Sequence, residues 1–270
     1  MKKTLLIATM AISTVFAQAQ AWQTTFKLCN VYITSENVND LATVANVTSG
    51  TIEFNNSTNT LTLTDVNWTR PTSGTWYFIK SEDTGTPLNV VFKGTNILDN
   101  NSMQRAILHV DPSTEIRVSG GSPKSDNLTI RGGNGLNIDQ GLLTIKNLAL
   151  TFEDNIWTIG GYGPSSMGQL IINFCDITAH PSNNMFDDLT SFQMIDCVFK
   201  TPADAVYDET QHAVVSEGVK LKDIDVKIIA KTTGIPQVHA QKQAEKVIVN
   251  GQLLIERNGE LFNATGARVK

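Results

Sequence analysis

Apolar residues recur along the chain in an eight-residue phrase, at its first, third, sixth and eighth positions. Leu143-Thr-Ile145-Lys-Asn-Leu148-Ala-Leu150 shows the phrase in full. It returns as Leu61, Leu63, Val66 and Trp68; as Leu170, Ile172, Cys175 and Ile177; as Phe192, Met194, Cys197 and Phe199; and as Val219, Leu221, Ile224 and Val226. A looser copy carries Val90, Phe92, Thr95 and Ile97, and a half copy carries Ile116 and Val118. Starts at 61, 90, 116, 143, 170, 192 and 219 repeat at a near-constant step. Such a period signals repeats that bury their apolar faces only against their neighbours.

Positions one and three alternate as in a short strand with one buried face. The two-residue gap before position six shifts that parity, so a bend must intervene if positions six and eight also point inward. Two short strands joined by a corner make part of one coil, and the segments between copies offer a third. These are Trp76-Tyr-Phe78, Ala106-Ile-Leu108, Leu136-Asn-Ile138, Ile156-Trp-Thr158, Met185-Phe186 and Ala205-Val-Tyr207. Helical periodicity is almost absent between residues 50 and 230. The pattern predicts an all-β fold: a right-handed parallel β-helix (a solenoid) with an N-terminal cap and a short C-terminal β-meander. A β-sandwich, which also yields many short strands with turn signals, is the alternative.

Five segments follow. Residues 1–21 read as a signal peptide, with basic Lys2-Lys3, an apolar run from Leu5 to Phe16, and small residues at Ala17, Ala19 and Ala21. The run is too short to span a bilayer. Residues 22–50 form an N-terminal strand and cap, in which Phe26, Leu28, Val31 and Ile33 repeat the phrase once more. After them Ser35 is expected to N-cap a short helix running through Leu41. Residues 51–230 form the solenoid and 231–245 a linker. Residues 246–270 form the meander, with Asn250-Gly251 and Asn258-Gly259 as hairpin turns.

Lys and Arg number 21 against 26 Asp and Glu, and loss of Lys2 and Lys3 with the leader deepens the acidic balance. No basic stripe marks a nucleic-acid surface, and no basic amphipathic helix marks a membrane surface. Neither nucleic acid nor membrane insertion is expected. Cys175 and Cys197 both hold position six of consecutive copies, so they are expected as stacked, reduced core thiols; Cys29 has no evident partner.

Phe26 to Leu63 carries Val-x-Ile-Thr-Ser, Asn-Asp-Leu, Ser-Gly-Thr-Ile-Glu-Phe-Asn-Asn and Asn-Thr-Leu-Thr-Leu. This wording resembles the opening of a family of secreted Bacteroidetes proteins built from right-handed β-helix-like repeats. Leu-Thr-Ile-Lys-Asn and Leu-Ile-Ile-Asn-Phe-Cys-Asp-Ile-Thr-Ala are similar to that family's coils. The closing phrase Asn250-Gly251-Gln252-Leu253-x-Ile255-x-Arg257-Asn258-Gly259 with Phe262-Asn263, Gly266 and Val269 resembles sorting domains of the type IX secretion system. It is shorter than they are, and Phe262 stands where Tyr is usual. The resemblances imply secretion, cell-surface display and contact of residues 246–270 with secretion machinery.

β-Helices host polysaccharide lyases and hydrolases, whose chemistry needs flanking carboxyl groups. The acid pairs lie at Glu153-Asp154, Asp187-Asp188 and Asp208-Glu209, with Asp223 and Asp225 in the last copy. Stacking would bring Asp154, Asp187 and Asp208 towards one wall, which makes them the catalytic candidates. His109, His180, His212 and His239 lack metal-ligand spacing. Arg131-Gly-Gly-Asn-Gly135 and Gly160-Gly-Tyr-Gly163 read as tight corners, not phosphate loops. No metal or cofactor is expected.

Aromatic side chains able to stack on a sugar are the ligand-binding candidates: Tyr162, set between glycines, then Trp157 and Tyr77. The simpler alternative reads Trp68, at position eight of the phrase, as core, and with it Trp76 and Trp157. The expected function is non-catalytic binding of a polysaccharide or cell-surface glycan, or adhesion. The alternatives are a polysaccharide lyase or glycoside hydrolase, and a structural envelope protein.

Overall fold

A computed structural model describes residues 21–71, 77–82, 85–101, 106–231, 245–249, 252–257, 260–263 and 268–269. The signal-peptide, linker and Asn-Gly turn assignments, and Trp76, fall almost wholly outside these residues. The fold is all-β, and the chain divides into two units, one ending at Lys231 and one beginning at Thr232. Among the described residues the one helix is Leu41–Ala45, and none is long and apolar enough to cross a membrane.

The first unit is dominated by a thirteen-stranded sheet, which curls nearly to closure. Its long strand Thr60–Thr69 feeds two parallel ladders. Residues 60–64 pair with Leu88–Lys93, followed by Glu115–Ser119, Leu142–Lys146, Gly168–Asn173 and Leu189–Ile195. Residues 67–69 pair with Thr95–Asp99, followed by Asn127–Arg131, Ala149–Glu153 and Asp176–Ala179. A third parallel ladder, in a six-stranded sheet, runs through Ile79–Ser81, Ala106–Val110, Asn134–Ile138 and Ile159–Gly160.

Register follows the apolar phrase. Ile116, Leu143, Leu170 and Phe192 are successive partners, as are Val118, Ile145, Ile172 and Met194. The predicted bend falls at position five of the phrase. There Asp65, Gly94, Asn147, Phe174 and Asp196 all have φ between 50° and 67°. A left-handed residue reverses the parity of the alternation, so residues on both sides of it can face the core. At Gly94 a Cβ would lie 2.1 Å from Asp65 Oδ1. That carboxylate accepts the Thr95 N–H at 2.8 Å, and Asp126 accepts the Gly94 N–H at 2.9 Å.

The looser copy is set differently from its reading in sequence. Leu88, not Val90, partners Ile116. Asn96 and Leu98, not Thr95 and Ile97, are the inward residues. Asn96 is fully buried because its amide is satisfied by the Val66 N–H and the Lys93 carbonyl.

Both ends leave the repeat. The phrase around Phe26–Ile33 is an antiparallel hairpin, Gln23–Leu28 with Val31–Thr34, turned at Cys29-Asn30 with positive φ; Val31 is 42% exposed. Ser35 does not cap the helix. Residues 35–39 form a turn held by Asn37, whose Oδ1 accepts the Thr34 N–H, and the helix begins after Asp40. Leu41 and Ala45 are buried beneath it, and Trp68 donates its indole N–H to the Ala45 carbonyl at 2.8 Å.

At the other end the copy from Val219 adds no strand to the parallel ladders. Val219 is 69% exposed in a small antiparallel sheet with Val206–Asp208 and Ala213–Ser216. Val226–Ala230 runs back antiparallel between Asp176–Ala179 and Cys197–Thr201. Phe186, Phe192, Phe199 and Tyr207 meet at centroid distances of 5.1–6.3 Å, closing this end with aromatic surface.

Cys175 and Cys197 are buried, free and adjacent, with the Cys175 N–H donating to Cys197 Sγ at 3.2 Å. Burial pushes the Cys175 thiol up to about 12. The second unit is a four-stranded antiparallel meander, Glu245–Val249, Gln252–Arg257, Glu260–Phe262 and Arg268–Val269, one strand more than the sequence suggested.

Leu143 is fully buried with in-register neighbours on both sides, so Leu143→Ala should destabilise the protein by about 2–5 kcal/mol in urea denaturation. Val219→Ala, at an exposed site, should stay within about 0.5 kcal/mol; equal losses would contradict the assignment of the last copy. Thiol-specific labelling at pH 8 should leave Cys175 and Cys197 unreacted in the folded protein and modify both after unfolding. Rapid native labelling would contradict their burial.

Candidate functional site

Three segments enclose a cleft of about 250 Å³: the strand Asn134–Ile138, residues 157–163, and the turn 183–188. Close backbone approach builds it. Leu136 and Asn137 pair in register with Ile159 and Gly160, and Gly160 bridges in turn to Asp187. A Cβ at Gly160 would lie 2.0 Å from the Asp187 carbonyl oxygen, and one at Gly161 would lie 2.4 Å from that of Ser166. Paired glycines are therefore what let the 183–188 turn sit against this loop. Ser166 holds the loop closed: its Oγ accepts the Tyr162 N–H at 2.9 Å and its own N–H donates to the Gly163 carbonyl at 2.9 Å.

The turn is anchored from below by Met185 and Phe186, both fully buried. Their backbones bond to Leu221 and Val214, on the segment that carries Lys220. That segment brings the Lys220 ammonium 2.6 Å from Asp187 Oδ1. Asp187 also accepts from Asn184 Nδ2 at 2.5 Å and from the Asp188 N–H at 2.9 Å.

Asp188 is in a different state. Burial first, and then the negative charge of Asp187, hold its carboxyl above the usual range; Lys220, the Gly163 N–H and His212 oppose them. At the cleft's strand side Asn137 is 3% exposed and donates Nδ2 to the Gly160 carbonyl at 3.2 Å, while its Oδ1 makes no hydrogen bond. Over this polar surface stand Trp157 and Tyr162, 41% and 43% exposed. Exposed aromatic faces above carboxylates and amides suit a ring with one apolar face and hydrogen-bonding edges.

Of the sequence candidates, Trp157, Tyr162 and Asp187 come together here. Tyr77 does not: it stacks on His109 with centroids 4.5 Å apart, beside an ion-pair network. In that network His109 Nε2 meets Asp111 at 2.8 Å, and Lys80 joins Asp111 and Glu82. Asp154 and Asp208 do not line the cleft, so stacking does not gather the three carboxylates on its wall. Asp154 is an exposed corner residue with φ of 57°. Asp208 ties its own turn, accepting from the Thr210 and Gln211 N–H groups, and those bonds, Gln211's first, lower its pKa.

Sequence reasoning passed over Asn137, Asn183, Asn184 and Lys220, and it saw Asp188 only as half of an acid pair. The legible signal was the glycine run at 160–163. Among the described residues no group of three His, Cys, Asp or Glu side chains is placed to hold a metal ion. Compared with known protein families, curated proteins and solved structures, the chain matches none.

A raised carboxyl pKa means the folded state binds that proton more tightly than the unfolded chain. Stability contributed at low pH is then withdrawn as pH rises from the unfolded to the folded value. Asp188→Asn removes that loss, and Asn tolerates the left-handed φ of 54° found there. The variant should gain up to about 1 kcal/mol at pH 7, roughly 2–4 °C in melting temperature. The gain should vanish at acid pH; a lower melting temperature at pH 7 would contradict a carboxyl held above its usual range by burial.

Proposed function

We propose that this chain is a secreted or cell-surface protein in which residues 51–230 form a right-handed parallel β-helix. On this reading its side cleft binds glycan without turning it over, and residues 246–270 engage a secretion system. The parallel ladders, repeating at the period of the apolar phrase, support the architecture. The observation that carries the binding role is the pair Trp157 and Tyr162, both exposed and lining the same cleft as Asp187, Asp188 and the amides. Burying two large aromatics would be the cheaper use of them in a fold with so much core. Their exposure at a concave polar site supports a ligand that covers them.

A hydrolytic reading draws on the same cleft. Asp188, its pKa raised by burial and by the neighbouring Asp187 charge, lies beside a second carboxyl group in the same cleft, as the acid in a glycosidase carboxyl pair does. Steady release of shortened oligosaccharides, abolished in Asp188→Asn, would favour it over simple binding.

Binding to a glycan array, followed by calorimetric titration of the best ligand, tests the proposal. Trp157→Ala and Tyr162→Ala should each weaken affinity about five- to tenfold and leave the melting temperature unchanged. Silence across acidic, neutral and amino glycans would overturn the binding role.

A further inference from the structure

The cleft has a sign of charge. Among the described residues two carboxylates line it, and no basic side chain does. Lys220 approaches from behind, and its ammonium is committed to Asp187 at 2.6 Å. Asp187 is largely spent, since it accepts from Lys220, Asn184 and the Asp188 N–H. Among the described residues Asp188 takes the Gly163 N–H, with the Lys220 charge nearby. A carboxylate offers about four acceptor positions, so Asp188 keeps more of them for a ligand than Asp187, which has about one left.

We propose that the cleft admits neutral and amino-sugar units and turns away uronic and sialic acids, with Asp188 as the residue that reads the ligand's charge. This rests on the glycan-binding reading of the same site. An incoming carboxylate would meet the Asp188 carboxylate in a partly enclosed space, and the nearby cation, Lys220, is already paired with Asp187; like charges at such range are unfavourable once water is displaced. A protonated amine at Asp188 gains a charge-assisted hydrogen bond, roughly twice as strong as a neutral one. A hydroxyl gains a hydrogen bond to the carboxylate but not the added attraction of an opposite charge. The aromatic faces also favour a cation over an anion, so the share that belongs to the carboxylate is the part lost in Asp188→Asn.

The test titrates the full chain with three oligosaccharide classes of equal length: glucosamine oligomers, N-acetylglucosamine oligomers and oligogalacturonate. Wild type should bind the glucosamine and N-acetylglucosamine series at least about tenfold more tightly than oligogalacturonate. Asp188→Asn, which suits the local backbone, should lower glucosamine affinity about tenfold, leave the acetylated series within about twofold, and narrow the gap to oligogalacturonate. Preferred binding of oligogalacturonate that is lost in Trp157→Ala would overturn the charge selection while leaving the glycan site standing. Unchanged selectivity in Asp188→Asn would overturn the role of that residue. Absence of binding to all three, or binding indifferent to both Trp157→Ala and Tyr162→Ala, would overturn both readings.

Discussion

Parallel pairing in register places each inward side chain against its equivalents in the strands on either side. The column Leu61, Val90, Val118, Ile145, Ile172, Met194 illustrates the consequence. No single strand here has enough apolar surface to be stable alone, and each acquires its buried face only when its neighbours are present. A slip of one residue anywhere along the column would turn a strand's apolar face to water. The left-handed corner residues protect against this slip, because they fix where the alternation changes parity. Asp65 and Asp126 add side-chain bonds across adjacent corners. The column ends where its neighbours run out. Phe192 and Met194 are only partly buried, and Phe192 packs with Phe186, Phe199 and Tyr207 instead of under another strand.

The same constraint generates the cleft. Strand Ile159–Gly160 is the short last member of its ladder, and the next level supplies only the bridge to Asp187. Where the ladder thins, backbone polar groups and side chains lie open instead of paired. The glycines at 160 and 161 allow the following turn to close against the gap, and the Tyr162 loop projects from it. A binding surface at the fraying end of a ladder therefore needs no departure from the building rule. It needs a shortened strand and residues without Cβ.

Much of the ladder was legible because it depends on hydrophobic alternation, and alternation is written plainly in Leu143-Thr-Ile145 and Leu170-Ile-Ile172. The corner was legible as a change of parity, though Phe174 in a left-handed conformation was not. The looser copy was misread by its polar residue. Asn96 lies in the core because its amide is fully bonded there, and a hydrophobicity pattern cannot distinguish a satisfied Asn from a solvated one. The two end copies were misread for another reason. Alternation carries no information about chain direction, and Cys29-Asn30 and Glu217-Gly218 reverse the chain through positive φ values. At the site, Trp157 and Tyr162 could be nominated as aromatics near glycines. Lys220 could not, since only the hairpin at 213–220 brings it to Asp187.

Cross-strand backbone nuclear Overhauser effects test the central claim most directly, since they report strand register and direction without reference to any ligand. Uniformly labelled protein should show contacts linking residue 143 to both 116 and 170, and residue 145 to both 118 and 172, in the parallel pattern. Antiparallel contacts at these residues, or contacts from residue 143 to one of those strands but not to the other, would contradict the stacked ladder and remove the foundation of the cleft.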